Sequence, residues 1–281
     1  MRFLSPMTDF MFREFFLNNE NIDIIREFVN TILKHNQASL ITKISIDEKF
    51  MDFPEKPIGT GPLLVLNCSD DQGNQSIIKI QTVQDEYSLN KIIDIPLASD
   101  HDHEKDLIPV IFIALLEFNF FDEMVSNEVV SYHLMREPQR YPEIPLASSF
   151  YFIQLEKFNK SLEELETSLD KWIFFLKQID SLRKIPEIFK NDPVFFKAIS
   201  FLEEGNWSRE ELYAYDRGLD YLRDYNSTIE TAADNGFEEG RQQVYLAKKL
   251  LVDGIEVTKI VEHVGLSIDI VEELKNRIEN E

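Results

Sequence analysis

Asn67, Lys79 and Gln81 are the residues whose types and spacing point most directly to chemistry. They lie within residues 62–81, where two apolar runs flank a polar turn and predict a β-hairpin. Strand side chains alternate between faces, so Lys79 and Gln81 share one face and Asn67 can lie opposite them. Three polar side chains converging on an apolar hairpin are typical of a small metal-dependent nuclease site. An amide and an ammonium group are, however, the wrong types to hold a metal.

The elements around the hairpin predict an α/β or α+β fold, with a mixed sheet flanked by helices and an all-α C-terminal region. Helical patterns cover residues 8–17 and 21–34 before the hairpin. A short strand is predicted at residues 41–46, also before the hairpin. After the hairpin come a partly helical segment and then three strands, predicted at residues 107–116, 128–136 and 150–155. From Ser161 onward the apolar spacing is helical.

This order predicts a domain over residues 1–160, a helical extension over 161–206 and a C-terminal region over 207–281. The C-terminal region begins with a long helix that we expect Gly236 and Gly240 to interrupt. It ends in a hairpin resembling a helix-turn-helix. The second helix of that hairpin is mostly acidic, which favours a dimerisation or capping helix pair over a DNA-recognition helix.

Charge and composition narrow the classes of partner. The chain has 51 acidic and 29 basic residues, a net charge of −22, which disfavours nucleic acid because DNA affinity depends on neutralising phosphates. The single cysteine, Cys68, excludes a disulfide framework and fits a reducing compartment. No signal peptide and no apolar run of membrane length is evident. We therefore expect a cytoplasmic protein that does not insert into membranes.

The C-terminal helices predict self-association. A helix much longer than the ~10–14 residues usual in globular proteins must bury its apolar face, and a second copy of the chain is the simplest partner. We therefore expect a homo-oligomer formed through the C-terminal helices.

Stretches along nearly the whole chain resemble the recombination-promoting nuclease (Rpn) or transposase branch of the PD-(D/E)XK nucleases. The resemblance rests on the order and spacing of several pieces rather than on one motif. Those pieces are residues 4–12, 28–33, 109–119, 155–158, 165–176, 235–240 and 265–267.

The resemblance implies a DNA endonuclease that holds Mg²⁺ between an acid on the first hairpin strand and a Glu-x-Gln on the second. In this sequence the Glu position holds Lys79 and the Gln position holds Gln81. The acid position falls on Asn67 if the hairpin is two residues shorter, and on Val65 otherwise. Asn is a weak neutral ligand, and Lys79 would repel the metal.

Two hypotheses follow. The first is a nuclease-family protein with a degraded metal site, which works through protein interaction and needs no cofactor. The second is an active Mg²⁺-dependent endonuclease whose carboxylate ligands have moved, with substitutes at Asp9, Asp70, Asp71 or Asp94. Turn chemistry is the alternative explanation for Asp70 and Asp71. A metal site at His101 and His103, and DNA binding by the tail alone, are weaker alternatives.

Overall fold

The computed structural model describes residues 2–36, 38–47, 60–86, 88–89, 108–121, 127–135 and 148–279. Asp94, His101 and His103 lie outside the described residues. Among the residues described, no helix combines the length and the apolar character needed to cross a membrane.

A mixed six-stranded sheet forms the centre of the fold, in the order β1-β2-β3-β4-β6-β5. The strands are β1 (Ile41–Ile46), β2 (Thr60–Asp70), β3 (Gln75–Val83), β4 (Val110–Leu116), β5 (Val130–Met135) and β6 (Ser148–Gln154). β3, β4 and β6 are parallel, and the pairs at both sides of this parallel centre are antiparallel. The predicted mixed sheet with flanking helices and a C-terminal helical region is confirmed.

β2 and β3 form the predicted hairpin, and the Asp70 carboxylate organises its turn. Asp70 Oδ1 accepts hydrogen bonds from the backbone N–H groups of Gln72 and Asn74, at 2.9 and 2.8 Å. Asp70 Oδ2 accepts one from the Asn74 side-chain amide at 2.8 Å. Gly73 takes φ of +86°, a conformation that favours glycine. Both strands extend beyond the apolar runs that predicted them, towards the turn and also at the far end of the hairpin, where Thr60 pairs with Val83.

The described part of the chain forms eight α-helices. The helices are α1 (Asp9–Phe16), α2 (Ile22–Lys34), α3 (Ser168–Gln178), α4 (Glu187–Lys190), α5 (Pro193–Phe201), α6 (Arg209–Val252), α7 (Val257–Val264) and α8 (Ile268–Glu279). Thr8 accepts a hydrogen bond from Met11 N and starts α1, and Thr167 with Asp170 forms a capping box at the start of α3.

The main core lies between one face of the sheet and the helices α1, α2, α3 and α5. Trp172 of α3 is fully buried and contacts Phe28 of α2 and Phe195 of α5, with ring centroids 5.3 and 4.5 Å apart. Alternate strand residues, such as Ile80 and Ile113, belong to the same core. The opposite face of the sheet carries a second, smaller cluster that includes Phe112, Ala114 and Phe152. The sheet is therefore apolar on both faces.

α6 continues without interruption from Arg209 to Val252, a length of 44 residues. The expectation that Gly236 and Gly240 interrupt it was wrong, because helix-forming residues on both sides outweigh the cost of about 1 kcal/mol for each helix-interior glycine. Ser208 and Glu211 form reciprocal hydrogen bonds at its start.

The chain divides into two compact units, Met1–Leu219 and Asp220–Glu281. The helices of residues 161–206 contribute to the main core of the first unit, as Trp172 and Phe195 show. In the second unit, α7 and α8 pack on the end of α6 around Ala247, Ile260 and Val271. Gly265 takes φ of +78° and turns the chain between α7 and α8. The three-part division at 160 and 206 stays a prediction.

Candidate active site

The register of the hairpin decides which side chains face one another. Val65 lies directly opposite Lys79, and Asn67 lies opposite Ile77. Residues opposite each other in an antiparallel pair share a face, so Val65, Asn67 and Lys79 all belong to the same side of the sheet. This is the side of Phe112, the neighbour of Lys79 on β4. Of the two candidates for the first acid position, the one that faces Lys79 is Val65.

Gln81 lies on the same face, two residues further along β3. It is only 6% exposed, and it is opposite Leu63 and beside Ala114. Its Nε2 donates a hydrogen bond to the carbonyl oxygen of Gly61 at 3.0 Å. The Gln81 amide therefore ties β3 to the start of β2.

Asp9, in α1, lies beside Gly61 on the side of Thr82, which is the face of the sheet opposite to Gln81. Its Oδ1 lies 3.6 Å from the position that a Cβ on Gly61 would occupy. That Cβ would also overlap the Thr82 hydroxyl, so the close packing of β2 on β3 requires glycine here. Asp9 and Gln81 therefore border Gly61 from opposite faces of the sheet, and the Asp9 carboxylate does not lie on the face that carries Lys79 and Gln81.

Asn67 lies further from Gly61 along β2, towards the turn of the hairpin. Its side chain is exposed, and its Nδ2 donates a hydrogen bond to Asp47 Oδ2 at 3.3 Å. Asp47 directly follows β1, so this contact joins β2 to the end of the neighbouring strand. The amide therefore points towards the β1 edge of the sheet.

Asp70 and Asp71 are the candidate substitute ligands in the turn. The hydrogen bonds from Asn74, its side-chain amide first, lower the pKa of Asp70 and hold the carboxylate as an anion. Both oxygens of Asp70 are used within the turn, whereas Asp71 is exposed. Asp70 lies five residues along β2 from Val65, so the turn does not bring it to the Gln81 end of the hairpin.

These residues do not fit Mg²⁺. A valine supplies no ligand atom, and a lysine at the facing position brings a positive charge that opposes a divalent cation. Across the described part of the chain, no three His, Cys, Asp or Glu residues are grouped so that they could hold a metal ion. Of the three described acids proposed as substitute ligands, Asp9 lies beside Gly61 on the face opposite to Gln81, and Asp70 and Asp71 lie at the turn.

A family model described as PD-(D/E)XK nuclease family transposase matches residues 6–232. The chain belongs to this family. The match covers the whole sheet and its flanking helices, together with the first half of α6. Searches of curated proteins and of solved structures each returned no significant match.

Family membership explains why the hairpin carries this arrangement. PD-(D/E)XK nucleases are generally metal-dependent, and the sheet, hairpin and helices of this chain are those of the family. Gln81 keeps the side chain that the resemblance requires at its position. If the position facing Lys79 is the first acid position, Val65 and Lys79 stand where the resemblance implies two acids.

Sequence reasoning passed over one acid, Glu117, which follows β4 directly. Burial, and to a smaller extent repulsion from Glu156, raise the pKa of Glu117 to about 7. By the alternation along β4, Glu117 belongs to the helix-covered side of the sheet, opposite to Lys79 and Gln81. The sequence signal that could have indicated a buried acid is that Glu117 directly follows the continuous apolar run of residues 107–116.

Replacing Glu117 with Gln is expected to stabilise the protein above pH 7 and to have little effect below pH 4.5. The pKa of the folded state, about 7, exceeds the ordinary value of 4.5, so the folded state keeps a proton that the unfolded state has lost. Stability of the wild type therefore falls as pH rises from 4.5 to 7 and stays lower above it. Because Glu117 keeps partial exposure, we expect a gain on the order of 1–2 kcal/mol at pH 8.

Urea unfolding of Glu117→Gln and of the wild type at pH 4.5 and pH 8 measures this difference. Glu163→Gln, in an exposed turn, is the matched control for the loss of an acid. If the variant and the wild type differ in unfolding free energy by the same amount at both pH values, the pH dependence of stability does not come from Glu117.

Proposed function

We propose that this protein is a member of the PD-(D/E)XK nuclease family transposases that has lost metal-dependent DNA cleavage and acts through protein interaction. The single observation that carries the proposal is the pairing of Val65 with Lys79 at the centre of the hairpin. Metal-dependent cleavage needs anionic ligands there to hold the ion that activates water. The Val65 side chain is a hydrocarbon and the Lys79 side chain is a cation, so neither position supplies a ligand for the metal.

The surroundings of Gln81 support the same proposal. Its amide donates to the Gly61 carbonyl and so has a structural role that does not depend on a metal. Asp9 alone is a single carboxylate, and Mg²⁺ bound in a nuclease needs more than one protein ligand. The proposed role of this face is therefore to complete the fold.

Charge supports a protein as the partner. A net charge of −22 repels the phosphate backbone at long range, so DNA is disfavoured as the main partner. Within the family we assign the chain to the Rpn branch, on the residues that carry the resemblance. We place the protein in the reducing cytoplasm, because its single cysteine, Cys68, is a free thiol buried inside the fold.

The test is incubation of the purified wild type with supercoiled plasmid and Mg²⁺ or Mn²⁺. We expect the plasmid to stay intact and calorimetry to detect no binding of metal at millimolar concentrations. Metal-dependent cleavage that Gln81→Ala abolishes would overturn the proposal. It would favour the second candidate, an active endonuclease with relocated carboxylates, in which Asp9→Asn should also abolish cleavage.

A further inference from the structure

We draw no further inference here: the strongest candidate, the cavity between the end of α2, the start of β5 and the start of α3, carries nothing, because His35, Lys157 and Lys160 line it together with Glu128, Glu164 and Asp170, and nothing in the structure shows which class of ligand such a mixed lining would take.

Discussion

The double variant Val65→Asp, Lys79→Glu is expected to bind Mg²⁺ and to nick plasmid DNA that the wild type leaves intact. The two substitutions place carboxylates directly opposite each other on β2 and β3, on the face that carries Gln81. Two facing carboxylates can hold a divalent cation that neither can hold alone. At Mg²⁺ about tenfold above its dissociation constant, binding should stabilise the folded state by about 1.4 kcal/mol.

The measurements are thermal unfolding with and without Mg²⁺ and cleavage of supercoiled plasmid. The matched control is Asn67→Asp, Lys79→Glu, in which the first acid lies opposite Ile77 and not opposite the second acid. We expect this control to gain neither metal binding nor cleavage. Equal metal binding by both double variants would show that the register does not define the site.

Without Mg²⁺, the Val65→Asp, Lys79→Glu variant should be less stable than the wild type. Val65 is only 3% exposed, and a carboxylate buried there beside a second one loses hydration and is repelled by its neighbour. Recovery of stability on adding Mg²⁺, and not on adding Na⁺ at equal ionic strength, would assign the effect to a bound ion.

Replacing Trp172 with Ala is expected to cost about 3–5 kcal/mol of unfolding free energy, the range for a fully buried aromatic residue. Trp172 is 0% exposed and also contacts Phe175, with ring centroids 5.5 Å apart. Together with the contacts to Phe28 and Phe195, it joins three helices of the main core. Its removal leaves a cavity that these rigid rings cannot refill.

Trp172→Phe should cost clearly less than Trp172→Ala. The Trp172 indole N–H is buried with no hydrogen-bond partner in the described part of the chain, so phenylalanine also removes an unsatisfied donor. The control is Trp207→Phe, which loses one hydrogen bond to the Phe201 carbonyl at 3.3 Å and should cost about 1 kcal/mol. Urea unfolding followed by circular dichroism gives all three values. A cost below about 1 kcal/mol for Trp172→Ala would contradict this account of the core.

Much of the fold follows from local patterns in the sequence. The strand at Ile41–Ile46 and the helix ending at Lys34 have the predicted limits, because each is a clear periodic run bounded by polar residues. The hairpin was predictable since Asp70, Gly73 and Asn74 form a turn whose hydrogen bonds are local. The course of α6 was less predictable, because a local pattern does not weigh Gly236 and Gly240 against the many helix-forming residues around them.

The sequence by itself determined that the hairpin positions of this family carry Lys79 and Gln81, and that the net charge opposes DNA. Only the tertiary structure decided that Val65, and not Asn67, faces Lys79. A shift of the strands changes the pairing of every residue, and the register depends on turn geometry and on which face is buried. The raised pKa of Glu117 likewise depends on burial among segments far apart in the chain, which no local pattern contains.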